Sequence, residues 1–404
     1  MFRTEMPCMD LRLLVLIPFI FVQVSCVGDT VRPEASPDVT ISEPKTESSS
    51  EVQIPSDQEL RAIGERLSQA LENSNVDELE EIWDETSFRK KVIARTPSGS
   101  FYLPQMVSGL LSGGESSGPF YSYLQMQTRF LGTRHKSGES RVLVRGDSES
   151  GATVYLECVI ERVGGETKVV DVYFDFGEES MSETTVEMAE ILKSDKSGAS
   201  SELFNLMVKF AEAEDREKAL AVYSDLPDKL KSMDFLKRHQ LGILTQLGRA
   251  EYVEGLRDYL KSQPPDRTPT QTHLNAYYYT EDYDRLLIAV RELKDRFKME
   301  NAALDGLEAI ALSRTGQPSE GIKACRDALR KEPEYEAIYW VAVDVAVRAK
   351  DFRLVAQSLD YLSQKYPEVS KEVERREELN DFRNSAIGSC LDFKHIKAST
   401  KHNN

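Results

Sequence analysis

The chain has 404 residues, of which 40% are hydrophobic, so it is long enough for two or three domains with buried cores. Its 68 Asp and Glu residues against 51 Lys and Arg residues give a formal net charge of -17, which repels a phosphate backbone and argues against a nucleic-acid partner. The 5 cysteines are scattered without CxxC spacing, which indicates neither a zinc site nor a dense disulfide framework.

The N-terminal segment has the parts of an export signal. Arg3 and Arg12 flank the start of an apolar run, Leu13 to Val22, which is shorter than the roughly 20 residues that a membrane-spanning helix needs. Polar residues follow, and Cys26 comes directly after Ser25. This pattern predicts a secretory signal peptide over residues 1–25.

The border at Cys26 resembles the signal of a bacterial lipoprotein, in which the cysteine is lipidated and becomes the mature N-terminus. The resemblance implies an exported protein of the bacterial cell envelope, anchored in a membrane through Cys26 and facing the periplasm or the exterior. Gln23 stands where the lipoprotein pattern has Leu, Val or Ile. Two alternatives therefore stay open: cleavage by ordinary signal peptidase near Cys26 or Gly28, and an uncleaved anchor.

The segment after Cys26 is polar and acidic. Residues 27–60 contain eight acids and two bases and are rich in Ser, Pro and Thr. Such a composition cannot bury enough apolar surface to fold. Residues 26–56 are therefore predicted to be a disordered tether.

A folded domain is predicted over residues 57–180, beginning with helices. Apolar residues recur at helical spacing at Leu60, Ile63, Leu67, Ala70 and Leu71. A second short helix is predicted to carry Leu79, Ile82 and Trp83, with Asn75 or Asp77 as its N-cap.

Four strands are predicted next, over residues 128–134, 140–145, 153–162 and 167–176. Short connections that contain glycine favour an antiparallel meander. Alternation places one set on a single face of the third strand, namely Val154, Leu156, Cys158 and Ile160. The corresponding set of the fourth strand is Val170, Val172, Phe174 and Phe176.

Helices followed by a curved antiparallel sheet resemble the NTF2-like cone, and SQALENSNVDELEEIWD is similar to the opening helices of that family. The resemblance implies an α+β domain that often encloses a pocket, and some relatives are hydratases or isomerases that use an acid and a histidine. The residues that could serve in this way are His135, Asp171, Tyr173 and Asp175. However, alternation predicts that the three residues of the fourth predicted strand face water, and His135 lies beside a turn, so a structural role is favoured for all four.

Helical pairs recur after a connecting helix predicted over residues 184–193. The stretch GQPSEGIKACRDALRKEP has a turn glycine, small residues at Gly321 and Ala328, and a closing Pro333. The stretch KDFRLVAQSLDYLSQKYP repeats the plan and ends at Pro367. Both resemble the second half of a tetratricopeptide repeat (TPR), whose period of about 34 residues separates the two closing prolines. Residues 214–226, 248–260 and 281–293 repeat the theme less faithfully.

The TPR resemblance implies an all-α solenoid of five helical pairs over residues 201–370, with residues 371–384 as a polar capping helix. The predicted helical-repeat domain spans residues 181–384, and residues 385–404 are predicted to be a flexible tail. Concave TPR surfaces bind peptides. An aligned register places eight predicted partner-binding residues on inner helix faces: Asn205, Lys209, Arg238, Gln271, Asn275, Tyr278, Trp340 and Asp344. Trp340 and Tyr278 could instead be packing residues, and both interpretations stay open.

No phosphate-binding glycine loop, clustered metal-ligand set or catalytic motif occurs in the sequence, which therefore gives no positive case for an enzyme, a cofactor or a metal. The sequence predicts a membrane-tethered lipoprotein that binds a protein or peptide on its TPR-like surface. One alternative is small-molecule binding, or hydratase- or isomerase-type activity, in the NTF2-like pocket. Another is a purely structural component of the cell envelope.

Overall fold

The structure is a computed structural model that describes residues 54–96, 119–120, 124, 126–136, 138–148, 153–177, 179–195, 199–212, 215–366 and 369–390. The predicted signal peptide, Cys26, most of the tether and Pro367 lie outside these residues. The chain divides into two compact units. The sheet unit contains the described residues up to Asp147 and from Val154 to Ile243, and the helical unit contains those from Leu244 onwards together with Ser148 and Thr153.

Three helices open the sheet unit: α1 (Asp57–Glu72), α2 (Val76–Ile82) and α3 (Glu85–Arg95). Ser56 starts α1 because its side chain and that of Glu59 form a reciprocal capping box. The predicted apolar stripe of α1 is buried, which confirms this helix, and Asn75 rather than Asp77 caps α2. The sequence pattern did not reveal α3, since only Phe88 and Val92 are buried among its 11 residues.

The four predicted strands form one antiparallel sheet in the order β1-β2-β3-β4, which confirms the meander. They are β1 (Gln127–Lys136), β2 (Glu139–Asp147), β3 (Thr153–Val163) and β4 (Glu166–Phe174). The predicted apolar set of β3, from Val154 to Ile160, lies in the main core together with the stripe of α1. Helices therefore cover the apolar face of the sheet, as the fold requires.

The predicted apolar face of β4 is wrong at both ends of the strand. A bulge shifts the β3–β4 register after Val159, so Val169 joins the main core and Val170 packs on the opposite face. At the other end β4 stops at Phe174, and Phe176 has a φ of 61° in the following turn. The Phe176 ring consequently packs against Tyr155, with 4.1 Å between ring centroids.

The core of the sheet unit continues beyond residue 180, where the sequence pattern placed a domain boundary. The elements that follow the sheet are α4 (Met181–Ser194), α5 (Ala199–Glu212), α6 (Arg216–Asp225), α7 (Asp228–Ser232) and the first part of α8 (Asp234–Leu247). Met188, Met207, Tyr223 and Leu230, one from each of α4 to α7, are buried in the same cluster as the strands. Shared burial of these side chains is what joins α4 to α7 to the sheet.

From Leu244 onwards, all the described secondary structure of the helical unit is helical. After α8 it contains α9 (Arg249–Lys261), α10 (Gln271–Tyr279), α11 (Tyr283–Phe297), α12 (Ala302–Arg314), α13 (Pro318–Lys331), α14 (Glu336–Ala349) and α15 (Phe352–Lys365). Consecutive helices from α9 to α15 pack against each other, and α12 also packs against α14. The offset from the start of α12 to the start of α14 equals the offset from α13 to α15, and it matches the spacing predicted from the two closing prolines.

The turns between paired helices share a left-handed residue. Glu281, Gly316 and Lys350 have φ values of 62°, 85° and 57° and lie just before α11, α13 and α15. Close packing within a pair also requires a small side chain, because a Cβ at Gly321 would lie 2.8 Å from the carbonyl oxygen of Ala309. Gly321 and Ala328 are both buried, which agrees with their predicted role at helix contacts.

The predicted single capping helix over residues 371–384 is wrong. This region instead forms α16 (Val369–Arg375), a 3₁₀ turn (Glu377–Leu379) and α17 (Asn380–Arg383). Leu379 and Phe382 are buried against the core of α12 to α15, and this burial breaks the helical path. Helix α18 (Ala386–Cys390) follows, and the remaining residues of the predicted tail lie outside the described chain.

Candidate functional site

The sheet separates the histidine from the acids that a hydratase-like site would need. His135 is half-exposed near the end of β1, where its Nε2 lies 3.3 Å from Asp57 Oδ1 and its Nδ1 lies 3.1 Å from Ser140 Oγ. Asp171 lies on β4, the opposite edge of the sheet. Three strand spacings of about 4.8 Å place these edges about 14 Å apart. The sheet therefore does not bring His135 and Asp171 together.

Asp171 does not face water, contrary to the alternation pattern, because α3 and α4 pack over its position. It is 2% exposed and accepts hydrogen bonds from the backbone N–H and the hydroxyl of Ser182, with Arg95 Nη1 3.4 Å away. Burial raises the pKa of this carboxyl, although the hydrogen bonds from Ser182 oppose that shift. Asp171 thus holds the start of α4 against α3 and β4.

Tyr173 is also buried rather than solvated, because charged side chains from neighbouring strands pack over it. The Arg141 guanidinium lies 4.0 Å from the Tyr173 ring centroid, and Arg141 pairs in turn with Glu139 and Glu157. Arg134 pairs with Glu157 from β1. Burial raises the pKa of Tyr173 to about 12, so its hydroxyl stays protonated at neutral pH.

Asp175 is the third predicted solvent-facing residue that proves to be buried, because β4 ends before it and the turn carries it inward. Its Oδ1 accepts the backbone N–H of Tyr155 at 3.2 Å. Burial raises the pKa of Asp175, and the positive charge of Arg238 on α8 opposes this shift. Arg238, a predicted partner-binding residue, also lies 3.4 Å from Asp234 and so has structural charge partners within the sheet unit.

The remaining predicted partner-binding residues fall in both units. Asn205 and Lys209 lie on α5 of the sheet unit, and their side chains are outside the described part of the structure. The other five belong to α10 and α14 of the helical unit: Gln271, Asn275, Tyr278, Trp340 and Asp344.

An ion pair joins two helices of the helical unit beside these residues. Arg314, the last residue of α12, places Nη2 3.1 Å and 3.3 Å from the two carboxylate oxygens of Asp344 on α14. Arg348 Nε lies 3.9 Å from the same carboxylate. The Arg314 guanidinium also lies 5.6 Å from the ring centroid of Tyr283. The pair therefore fixes Arg314 beside an aromatic ring.

Tyr278 belongs to the same cluster, since the charges of Asp344 and Arg314 both act on its hydroxyl. Burial raises the pKa values of Tyr278 and Tyr283, and both hydroxyls therefore stay protonated at neutral pH and can donate hydrogen bonds. We call the set of α10, α12 and α14 residues around this pair the first-helix face: Asn275, Tyr278, Arg314, Trp340, Asp344 and Arg348.

Trp340 lies one helical turn before Asp344, on the same side of α14. It is partly exposed while packing against the core of α12 to α15, and Arg376 lies 5.2 Å from its ring centroid. Tyr278 is likewise partly exposed and packs against this core. Both side chains thus contribute to packing and are still partly exposed to solvent. The packing interpretation and the partner-binding interpretation therefore each describe part of their surroundings.

Gln271 is buried, which corrects its predicted place on a binding surface. It is 7% exposed, and its side-chain nitrogen donates to Asn275 Oδ1 at 3.3 Å. Gln271 is the first residue of α10 and precedes the buried residues Thr272 and His273. Asn275 is partly exposed and lies within hydrogen-bonding reach of the Tyr252 hydroxyl.

Sequence reasoning missed Arg314, Arg348 and Tyr283. A signal was present, because Arg314 and Arg348 occupy the same position of α12 and α14, counted from the start of each helix. The ion pair itself joins residues 30 positions apart, which no local pattern reveals. With this geometry the face can offer aromatic contact, hydroxyl donors and guanidinium groups to a ligand.

Family models, curated proteins and solved structures were all compared with the chain. None of them matches. In the part of the chain that the structure describes, no helix combines the length and the apolar character needed to cross a bilayer. Within those same residues, no three His, Cys, Asp or Glu side chains are grouped to hold a metal ion.

Proposed function

We propose that the protein is an exported bacterial lipoprotein that binds a peptide or protein on the first-helix face. In this proposal the helical unit is a TPR-like solenoid and the sheet unit is an NTF2-like α+β domain. The equal offsets from α12 to α14 and from α13 to α15 support a repeat. The left-handed residues at Glu281, Gly316 and Lys350 support the same register in three successive turns.

The observation that carries the binding function is a rigid aromatic and ionic surface on adjacent helices. Tyr278 and Trp340 are anchored in the core and partly exposed, and the Arg314–Asp344 pair locks α12 to α14 between them. Tyr, Trp and Arg are the residue types that dominate binding energy in protein interfaces. Preorganisation of these side chains lowers the entropy that a partner's binding would cost.

Anchoring through Cys26 rests on the sequence border between Ser25 and Cys26 and on the acidic spacer behind it. A solvated tether of residues 26–56 lets the folded units sample partners near a membrane surface. Mass spectrometry of the mature N-terminus checks the anchor on the same purified material that tests partner binding. A diacylglycerol on Cys26 is expected, and an N-terminus elsewhere would remove the anchor from the proposal.

Trp340→Ala is expected to lower partner recovery by at least about tenfold after chemical crosslinking in the cells that make the protein. The matched control is Tyr339→Ala, which removes the neighbouring aromatic residue of α14. Tyr339 stacks on Tyr361 with 3.7 Å between centroids and lies on a different side of the helix. Urea unfolding of both variants separates lost binding from lost stability. Equal recovery with the two variants would refute the proposed face.

A further inference from the structure

The charges around Arg314 do not cancel. Arg314 and Arg348 both lie beside the single carboxylate of Asp344, at 3.1 Å and 3.9 Å. These two arginines and one acid leave one positive charge at this contact, on a chain whose formal net charge is -17.

Hydrogen-bond donors outnumber acceptors at the same place. Of the Arg314 donors, Nη2 alone bonds Asp344, and the buried Nε has no hydrogen-bond partner among the described residues. A guanidinium fork is shaped to hold a carboxylate through two parallel hydrogen bonds. Tyr278 and Tyr283 pack against the core of α12 to α15, and each carries a hydroxyl that can donate a hydrogen bond.

We infer that the bound partner is an acidic peptide segment, and that one of its side-chain carboxylates binds Arg314 with help from Arg348 and the two tyrosines. This inference rests on the proposed function, because it names the chemistry of the partner of the first-helix face. Asp344 acts as an internal competitor: it positions Arg314 in the free protein and shares Arg314 with the incoming carboxylate. The Arg314 guanidinium lies over the Tyr283 ring, which adds a cation–π contact that helps to hold it in place.

The test measures fluorescence anisotropy of a short labelled copolymer of Glu and Tyr, with a Ser and Tyr copolymer as the neutral probe. Arg314→Met is expected to weaken binding of the Glu probe about tenfold, since a charge-assisted bidentate contact is lost. Asp344→Asn is expected to tighten binding several-fold, because it frees Arg314 and removes a repelling charge. If the Arg314–Asp344 pair has a purely structural role, Asp344→Asn is expected to weaken binding instead.

Matched controls come from the exposed pair of Arg330 and Asp327 on α13, whose atoms are 2.8 Å apart. Arg330→Met and Asp327→Asn change the net charge by the same amounts, and each is expected to leave affinity within about twofold of the parent. Raising the salt concentration is expected to weaken binding of the Glu probe but not binding of the Ser probe.

Three results would overturn the inference: equal affinity for both probes, no binding of the Glu probe, or weaker binding by Asp344→Asn. If both probes bind with equal affinity and Trp340→Ala abolishes that binding, the proposed function stands. Only the inference of an acidic partner is then rejected. If neither probe binds and Trp340→Ala still recovers partners as Tyr339→Ala does, the proposed function fails as well.

Discussion

Asp305→Asn is expected to lower the free energy of unfolding of the helical unit by about 3 kcal/mol. Asp305 on α12 is 2% exposed, and its carboxylate lies 2.6 Å from Lys294 Nζ of α11 and 2.8 Å from Lys331 Nζ of α13. One buried carboxylate therefore ties three successive helices together. The asparagine keeps the shape of the aspartate side chain and leaves both ammonium groups without their negative partner. Because both ammonium groups are partly exposed, water solvates them and reduces the loss of stability.

Urea unfolding measures this effect, followed by tryptophan fluorescence in a Trp83→Phe background so that Trp340 reports the helical unit alone. Asp327→Asn is the matched control, since Asp327 pairs with Arg330 at the surface of α13 and is expected to contribute less than about 1 kcal/mol. Similar losses in the two variants would show that the buried network does not hold the helices together.

Acid is expected to destabilise the sheet unit through His239 on α8. Burial lowers the pKa of His239 from 6.5 to about 4, so the folded state resists the proton that the unfolded state takes up. The stability that this histidine contributes is therefore complete above pH 6.5 and is lost as pH falls towards 4. Linkage gives a loss of about 2 kcal/mol at pH 5 from this group.

Comparing wild type with His239→Gln isolates the part of the pH-dependent stability that comes from His239. Both proteins carry Trp340→Phe, so that Trp83 reports the unfolding of the sheet unit. The buried carboxyls Asp171 and Asp175 have raised pKa values and act in the opposite direction, because their folded forms hold protons more tightly. Their effect is common to both proteins. Between pH 7.5 and 5 the variant is expected to gain about 2 kcal/mol relative to wild type, and a constant difference would contradict the account.

Local periodicity was sufficient for α1 and the four strands of the sheet unit, but not for α3. The stripe of α1 and the four strands follow from which side chains alternate between core and solvent. The burial of Asp171 was not accessible in this way, since α3 and α4 cover it from distant positions of the chain. Likewise, the bulge at Val170 depends on β3–β4 pairing and reverses the faces that strict alternation assigns.

For the first-helix face, repeat register identified Tyr278, Trp340 and Asp344 and missed Arg314. The predicted register was dependable where the offset between helix starts matches the spacing of the two closing prolines, as between α12 and α14. It was less dependable where the offset is shorter, as between the starts of α10 and α12. Gln271 is buried at the first position of α10, although Asn275, one turn later on the same side, is partly exposed. Pairing of Arg314 with Asp344 needs the packing of α12 against α14, which only the folded chain supplies.

Photocrosslinking in living cells tests the first-helix face most directly. Benzoylphenylalanine replaces Arg348, which is exposed on α14 one turn beyond Asp344, or Arg353, which is exposed on α15. We predict that the residue at position 348 crosslinks the same partner that Trp340→Ala loses, and that position 353 does not. Crosslinks of equal strength from both positions, or from position 353 alone, would contradict the docking of a partner on this face.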